Sequence, residues 1–463
     1  MPPTWLPKVA AVWIALPALA APPAEPPPGE PIGMEQAVEL ALANHPLLDA
    51  ASEQIVAAEA ERKLAGTGYY PRLDFTEDFA RSDNPVFVFA SKLGQEKFAA
   101  TDFALDSLNQ PDPFTNFATR FVLRQNIWDA GRTDKGKRVM TEGIEASRHA
   151  QQRTEDEVAF GAVQAFWSLA VAQEMLGVAH DAESAARANV DLATELVEAG
   201  LAVPSDRMTA EVRLAEVEAL RIRAEVGLEV ARAALVRALG LEGDPRFTAA
   251  PPAGTPPADG RGIAEHVDEA LAARPDLLAL DRHIRQAEIG VNMAKHRRLP
   301  EFGAGASYEW NGDTVFGSDG SNWSVGIGLR VPVFDGLDTG AHVARARAGL
   351  AGASSMRTAM RQGVRLEVQA AWAERESARR RYAVAAAALE RAQEALRIVR
   401  ERYGEGMAVM VELLGAEAAQ TQARASHVAA RGDWWLAQAA LDLATGRKPF
   451  AAAGSAPDAD TES

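Results

Sequence analysis

The 463 residues include no cysteine. That absence excludes disulfides, thiolate metal sites, a cysteine nucleophile and a lipidated N-terminal cysteine. Basic residues are in deficit: 48 Lys and Arg stand against 64 Asp and Glu, for a net charge of −16. A chain this acidic is not built to hold nucleic acid as its main partner. Beyond the N-terminus, no segment carries the roughly 20 continuous apolar residues of a membrane-spanning helix. The 8 histidines (His45, His149, His180, His266, His283, His296, His342 and His427) form no i, i+4 pair and no spacing with acidic ligands. No metal site follows from them. Phosphate loops, serine elbows and nucleophile–base spacings are missing too, so no catalytic residue is assigned, no cofactor is expected, and the chain does not read as an enzyme.

What is present is repetition. Ala41-Leu42-Ala43-Asn44-His45-Pro46 returns as Ala270-Leu271-Ala272-Ala273-Arg274-Pro275, and the same shift carries Tyr70-Pro71 onto Leu299-Pro300. A second, smaller shift carries Gln125-Asn126-Ile127-Trp128-Asp129-Ala130 onto Val331-Pro332-Val333-Phe334-Asp335-Gly336, and Gly200-Leu201-Ala202-Val203 onto Gly406-Met407-Ala408-Val409. The first copy therefore holds an insertion between Pro71 and Gln125. A duplication of this length implies two copies of one supersecondary unit packed together as an internal tandem repeat.

The chain opens with Lys8, an apolar run from Val9 to Leu19, and Ala18-Leu19-Ala20. This is the layout of an export signal over residues 1–20, with cleavage near Ala20 or Ala21. A proline-rich, flexible segment at 21–33 follows. The first repeat spans 34–241, a linker 242–262, and the second repeat 263–446. Residues 447–463 form a polar tail expected to be poorly ordered. Each copy reads helix, strand, loop, strand, long helix, turn, helix. Helix is predicted from about Met34 to Gly68, Arg132 to Ala199 and Ser205 to Leu239. In the second copy it runs from about Ile263 to Arg298, Asp338 to Tyr403 and Val411 to Ala444. The longest of these would reach about 100 Å at roughly 1.5 Å per residue, which calls for coiled-coil packing.

Strands are predicted at about 72–83, 117–128, 302–310 and 323–334. Phe302, Ala304, Ala306, Tyr308 and Trp310 alternate with Gly303, Gly305, Ser307 and Glu309. Trp323, Val325, Ile327, Leu329, Val331 and Val333 alternate with small or polar neighbours. Glu77 breaks the pattern in the first strand, and Pro332 would need a rim or bulge. Strands with one apolar and one polar face, an export signal and interface aromatics such as Trp128, Trp310 and Trp323 favour an outer-membrane barrel. Four strands cannot close a barrel, and lipid does not tolerate open sheet edges. The chain must therefore oligomerise. Two copies would supply eight strands and three would supply twelve, and the strand count alone leaves both open.

In this order and twice over, these residues resemble the TolC family of outer-membrane efflux proteins. The likeness runs from about Met34 to Gly446. It rests on Gln125-Asn126-Ile127-Trp128-Asp129-Ala130-Gly131-Arg132, on Val331-Pro332-Val333-Phe334-Asp335-Gly336, and on Arg402-Tyr403-Gly404-Glu405-Gly406 followed by Glu412-Leu413-Leu414. The resemblance implies a mainly α protein with membrane β: a homotrimer with a twelve-stranded barrel in outer-membrane lipid. An α-helical tunnel would continue it into the periplasm, with an equatorial collar made partly by the linker. It implies an exit duct of a tripartite efflux or type I secretion system, working with a periplasmic adaptor and an inner-membrane pump. A periplasmic coiled-coil adaptor or structural protein without a barrel is the alternative.

The resemblance also assigns sites. The turns at Gly200, Leu201, Ala202 and Val203 and at Gly406, Met407, Ala408 and Val409 would be the tip that meets the adaptor. Glu412 matches the first of two acidic positions that ring the family's pore entrance; the second is Gly415 here, leaving a single ring. Asp206 is its counterpart in the first copy, placed where a helix start favours a carboxylate. Asp129 and Asp335 read as turn or capping residues rather than a catalytic pair. The insertion at about 84–116 reads as a surface loop, able to narrow the outer mouth or touch the outer leaflet.

Overall fold

The computed structural model describes residues 31–449 apart from Asp244 and Ala258. The expected export signal at 1–20, residues 21–30 and the tail from 450 onward lie outside the described residues. In chain order the elements begin with β1 (Pro31–Ile32), α1 (Met34–Asn44), α2 (Pro46–Gly66), β2 (Arg72–Ser82), α3 (Pro85–Gly94), α4 (Leu105–Asn109) and β3 (Phe114–Trp128). They continue with α5 (Arg132–Glu198), α6 (Pro204–Ala238), β4 (Thr248–Ala249), α7 (Ile263–Ala273) and α8 (Pro275–Lys295). The last are β5 (Glu301–Gly312), β6 (Gly320–Arg330), α9 (Asp338–Gly404) and α10 (Met410–Thr445). Among the described residues no helix is long and apolar enough to cross a membrane.

The two helices expected as continuous from Met34 and from Ile263 are each broken. His45 and Arg274 sit in extended backbone between α1 and α2 and between α7 and α8. Each precedes a proline, whose ring disfavours helical backbone in the residue before it, while proline itself is well placed to start the next helix. The His45 ring Nδ1 accepts a hydrogen bond from the Leu47 amide at 3.3 Å, so the break also caps α2. α5 and α9 hold 67 residues each without interruption.

β2, β3, β5 and β6 form one antiparallel sheet in that order. β6 stops at Arg330, so Pro332 lies beyond the strand, where its missing N–H breaks no ladder. The insertion is not an irregular loop: it folds into α3, a short 3₁₀ turn over Ala100–Phe103, and α4. Asn84 starts α3, its side-chain oxygen accepting from the amides of Val86 and Phe87.

The largest core lies midway along the helices. Leu40 of α1, Phe166 and Trp167 of α5, Leu235 of α6 and Trp435 of α10 are buried together with Ile32 and Phe247. Trp167 stacks on Trp435 with ring centroids 5.4 Å apart. Alanines at Ala162, Ala170 and Ala439 let the helices approach there. β1 pairs with β4 in parallel and ties the start of the chain to the linker. Residues 31–33 are thus part of the fold rather than of a flexible segment, because Ile32 is fully buried and its carbonyl accepts from the Ala250 amide. Arg447 likewise belongs to the fold and not to the polar tail: it holds Glu269 through two hydrogen bonds of 2.6 and 2.7 Å.

Candidate functional site

Paired residues in an antiparallel sheet share a face, so the register sorts the side chains. One face carries Phe75, Phe121, Tyr308 and Trp323 in a row across all four strands, with Leu123, Ala306 and Val325 in the row beside it. This face is open: Trp323 and Ile327 are 73% and 77% exposed. The opposite face is polar. Arg124 pairs with Asp74 at 2.8 Å, Arg120 with Glu309 at 2.6 Å, and the Ser307 and Ser324 hydroxyls meet at 2.8 Å. Glu77, the exception to the alternation, lies on the apolar face. It accepts from the Thr119 hydroxyl at 2.5 Å and from the Phe316 amide at 3.2 Å. A carboxylate placed against apolar rings is held by donors rather than left unpaired.

Where strand becomes helix, Asp129 accepts from the Thr133 amide at 2.8 Å and from its hydroxyl. Asp335 accepts from the Thr339 amide at 3.0 Å and the Leu337 amide at 3.1 Å. Both carboxyls are held below their ordinary range. For Asp129, burial pushes upward but the Thr133 hydrogen bonds outweigh it; for Asp335 the Thr339 bonds dominate. Their lone pairs are occupied by the turn, which fits capping.

At the far end, α5 reverses into α6 and α9 into α10. Gly200 (φ +69°) and Gly406 (φ +74°) take left-handed backbone, which glycine adopts without a Cβ penalty. The Leu201 amide donates to the Leu196 carbonyl and the Met407 amide to the Arg402 carbonyl, each at 2.8 Å. Leu201, Val203, Met407 and Val409 remain exposed, whereas Ala202 and Ala408 are half-buried. The two turns do not stand apart. Ala193 of α5, Ala210 of α6, Leu396 of α9 and Met410, Leu413 and Leu414 of α10 form one buried cluster beneath them.

Glu412 is half-exposed, with Arg402 of its own hairpin 3.9 Å away. The same guanidinium donates to the Met407 carbonyl at 3.0 Å, so one arginine braces both the turn and the acid. Asp206 stands near Tyr403 of the other hairpin: the phenol is raised first by burial and then by the charge of Asp206. Sequence reasoning missed Arg402 and Tyr403 as partners of these acids, although both fall inside a motif it singled out. Their role depends on how the turn folds back, which spacing does not record.

Midway, a dense charged cluster joins the linker, α7 and the end of α10. Asp259 is bound by Arg261 at 2.7 Å and its carboxyl is held far below the usual range by those guanidinium hydrogen bonds. Arg274, almost fully buried, holds Asp276 and Glu367 at 2.6 Å each and donates to the Ala444 carbonyl. Among the described residues no three His, Asp or Glu side chains gather as a metal site.

Residues 37–241 and 266–447 match the family described as Outer membrane efflux protein. The chain is 24% identical over 410 residues to Protein CyaE of Bordetella pertussis, covering 87% of this chain and 82% of that protein. It is 25% identical over 349 residues to the outer membrane efflux protein BepC of Brucella suis, covering 72% of this chain and 74% of that one. Its fold is similar to the Campylobacter jejuni CmeC outer membrane channel, with TM-score 0.74, 17% identity and coverage of 89% of this chain and 85% of that one. With its two helical hairpins, its two-faced sheet and a family match over both halves, the chain belongs to the outer membrane efflux protein family and is an outer-membrane exit duct.

Proposed function

We propose that three copies of the chain share one twelve-stranded barrel in the outer membrane and continue it as a single helical tunnel in the periplasm. The observation that carries this reading is the four-stranded sheet, which ends in edge strands β2 and β6 and exposes a continuous aromatic and aliphatic face. In hydrocarbon both edges must be paired, and pairing β6 of one chain with β2 of the next is the symmetric solution. The apolar face then meets lipid, and the polar face of Asp74, Arg120, Arg124 and Glu309 lines water. The equal 67-residue spans of α5 and α9 support a tandem repeat, so that six similar hairpins surround the tunnel.

The duct is passive. Substrates would enter from an inner-membrane pump docked through a periplasmic adaptor, whose hairpin meets the exposed turns at Leu201–Val203 and Met407–Val409. Three copies of Glu412 would ring the entrance, favouring cations and holding divalent ions. The linker with β1 and β4 would form the collar. Light scattering on detergent-extracted protein tests the assembly: three chains per particle are expected, and a monomer that leaves the membrane without detergent would overturn it.

A further inference from the structure

We propose that the insertion between β2 and β3 is a built-in constriction of the duct's outer mouth: α3 docks on the polar face of the sheet and meets its copies from the other two chains. This rests on the three-chain barrel proposed above. The docking is specific. Gln95, 1% exposed, lies just past α3. Its amide nitrogen lies within 2.8 to 2.9 Å of the Thr115 carbonyl, the Asn116 side-chain oxygen and the Gly312 carbonyl. Asn116 in turn donates to Asn311 at 2.8 Å, and Asn311 donates to Glu309 at 2.8 Å. Asn311 pairs with Ala118 and Glu309 with Arg120, so the chain of bonds runs down the polar face and not the lipid-facing one. Lys97 adds a clamp, reaching Asp313 at 2.8 Å and Asp319 at 2.6 Å in the β5–β6 turn. The fit is close: a Cβ added to Gly320 would lie 2.3 Å from the Gly94 carbonyl oxygen.

The other side of α3 has the wrong chemistry for open water. Val88 and Ser91 are buried, while Val86 and Leu93, on another side of the helix, are 77% and 50% exposed. An apolar outer face on a short helix that is firmly docked on its inner face calls for a partner. Geometry supplies one. Twelve strands spaced ~4.8 Å apart and tilted about 40° make a ring about 24 Å across. A helix is about 10–12 Å thick with its side chains, so one docked on the wall reaches the axis. Three of them, related by the three-fold axis, would bring their Val86 and Leu93 faces together over the mouth. An apolar ring at that point resists wetting and slows ions. The duct would then have a gate at its outer end as well as at the helical tips, latched by Gln95 and Lys97.

Single-channel conductance in planar bilayers tests this, using trimers verified by light scattering. Lys97→Glu, which sets a carboxylate against Asp313 and Asp319, should raise conductance at least about twofold if the latch holds the gate. A chain in which residues 86–110 are replaced by a short glycine–serine link should do the same without depending on one side chain. Because the chain has no cysteine of its own, Val86→Cys gives a clean second readout, and oxidation should join copies within the trimer. Trimers whose conductance is unchanged in both variants, or whose Val86→Cys chains never cross-link, would overturn the constriction while leaving the duct intact. Failure to find trimers at all would instead remove the barrel on which it rests.

Discussion

Glu412 shares its hairpin with Arg402, and that partner sets how strongly an acidic ring at the entrance would act. A half-exposed pair at 3.9 Å leaves most of the carboxylate free to bind an ion. Glu412→Ala is therefore expected to relieve block of the channel by divalent cations, read as current in bilayers with and without magnesium. No change in that block would remove the ring. Buried acids in the middle of the chain make a second prediction. Asp156 is 1% exposed, and burial pushes its carboxyl up from the ordinary 3.8 to about 6. Burial does the same to Asp442, also to about 6. A raised carboxyl favours the folded state at low pH, and that contribution is lost as pH climbs from about 4 to about 6. Asp259, held low by Arg261, and His266, held low by burial, act in the opposite sense: their contributions are lost as pH falls. Asp156→Asn removes one titration and keeps the shape. Its stability relative to the parent should be higher at pH 8 than at pH 4 by about 1–3 kcal/mol, measured by denaturant unfolding in detergent. An equal effect at both pH values would contradict the assignment.

Elements were legible where pattern and punctuation agreed. Alternation marked the strands because a sheet with one apolar and one polar side repeats every two residues, and the one misfit, Glu77, is explained by Thr119 and the Phe316 amide, which lie far from it in sequence. The breaks at His45 and Arg274 were on view as Pro46 and Pro275, yet helical composition on both sides masked them. The insertion looked irregular because α3, only 10 residues long, owes its place to contacts with β3, β5 and β6 rather than to periodicity. Arg274 shows the same limit. It stood out only as part of a repeated motif, but its guanidinium ties α8 to α9 and to the last turn of α10. Arg274→Ala should cost about 3–5 kcal/mol, since it strands Asp276 and the Ala444 carbonyl where little water reaches them. Lysine at that position should recover only part of the loss, because it cannot reproduce the two-pronged contact with Asp276. Full recovery by lysine would argue against that geometry.

For the whole molecule, one chain is an incomplete object. Its apolar sheet face is bare, its edge strands lack outer neighbours among the described residues, and the core midway along the helices joins helices of both halves. Sequence arithmetic left eight or twelve strands open, since strand count does not fix copy number. Membership in the outer membrane efflux protein family establishes the class of molecule, and the free edges of β2 and β6 give the most direct way to count chains. Cysteines at Thr76 of β2 and Ser324 of β6, joined by a flexible bismaleimide, would be unique in the chain. The shared barrel predicts a denaturing gel ladder of one, two and three linked chains that stops at three. A product that stays at one chain, or a ladder that runs on past three, would contradict it.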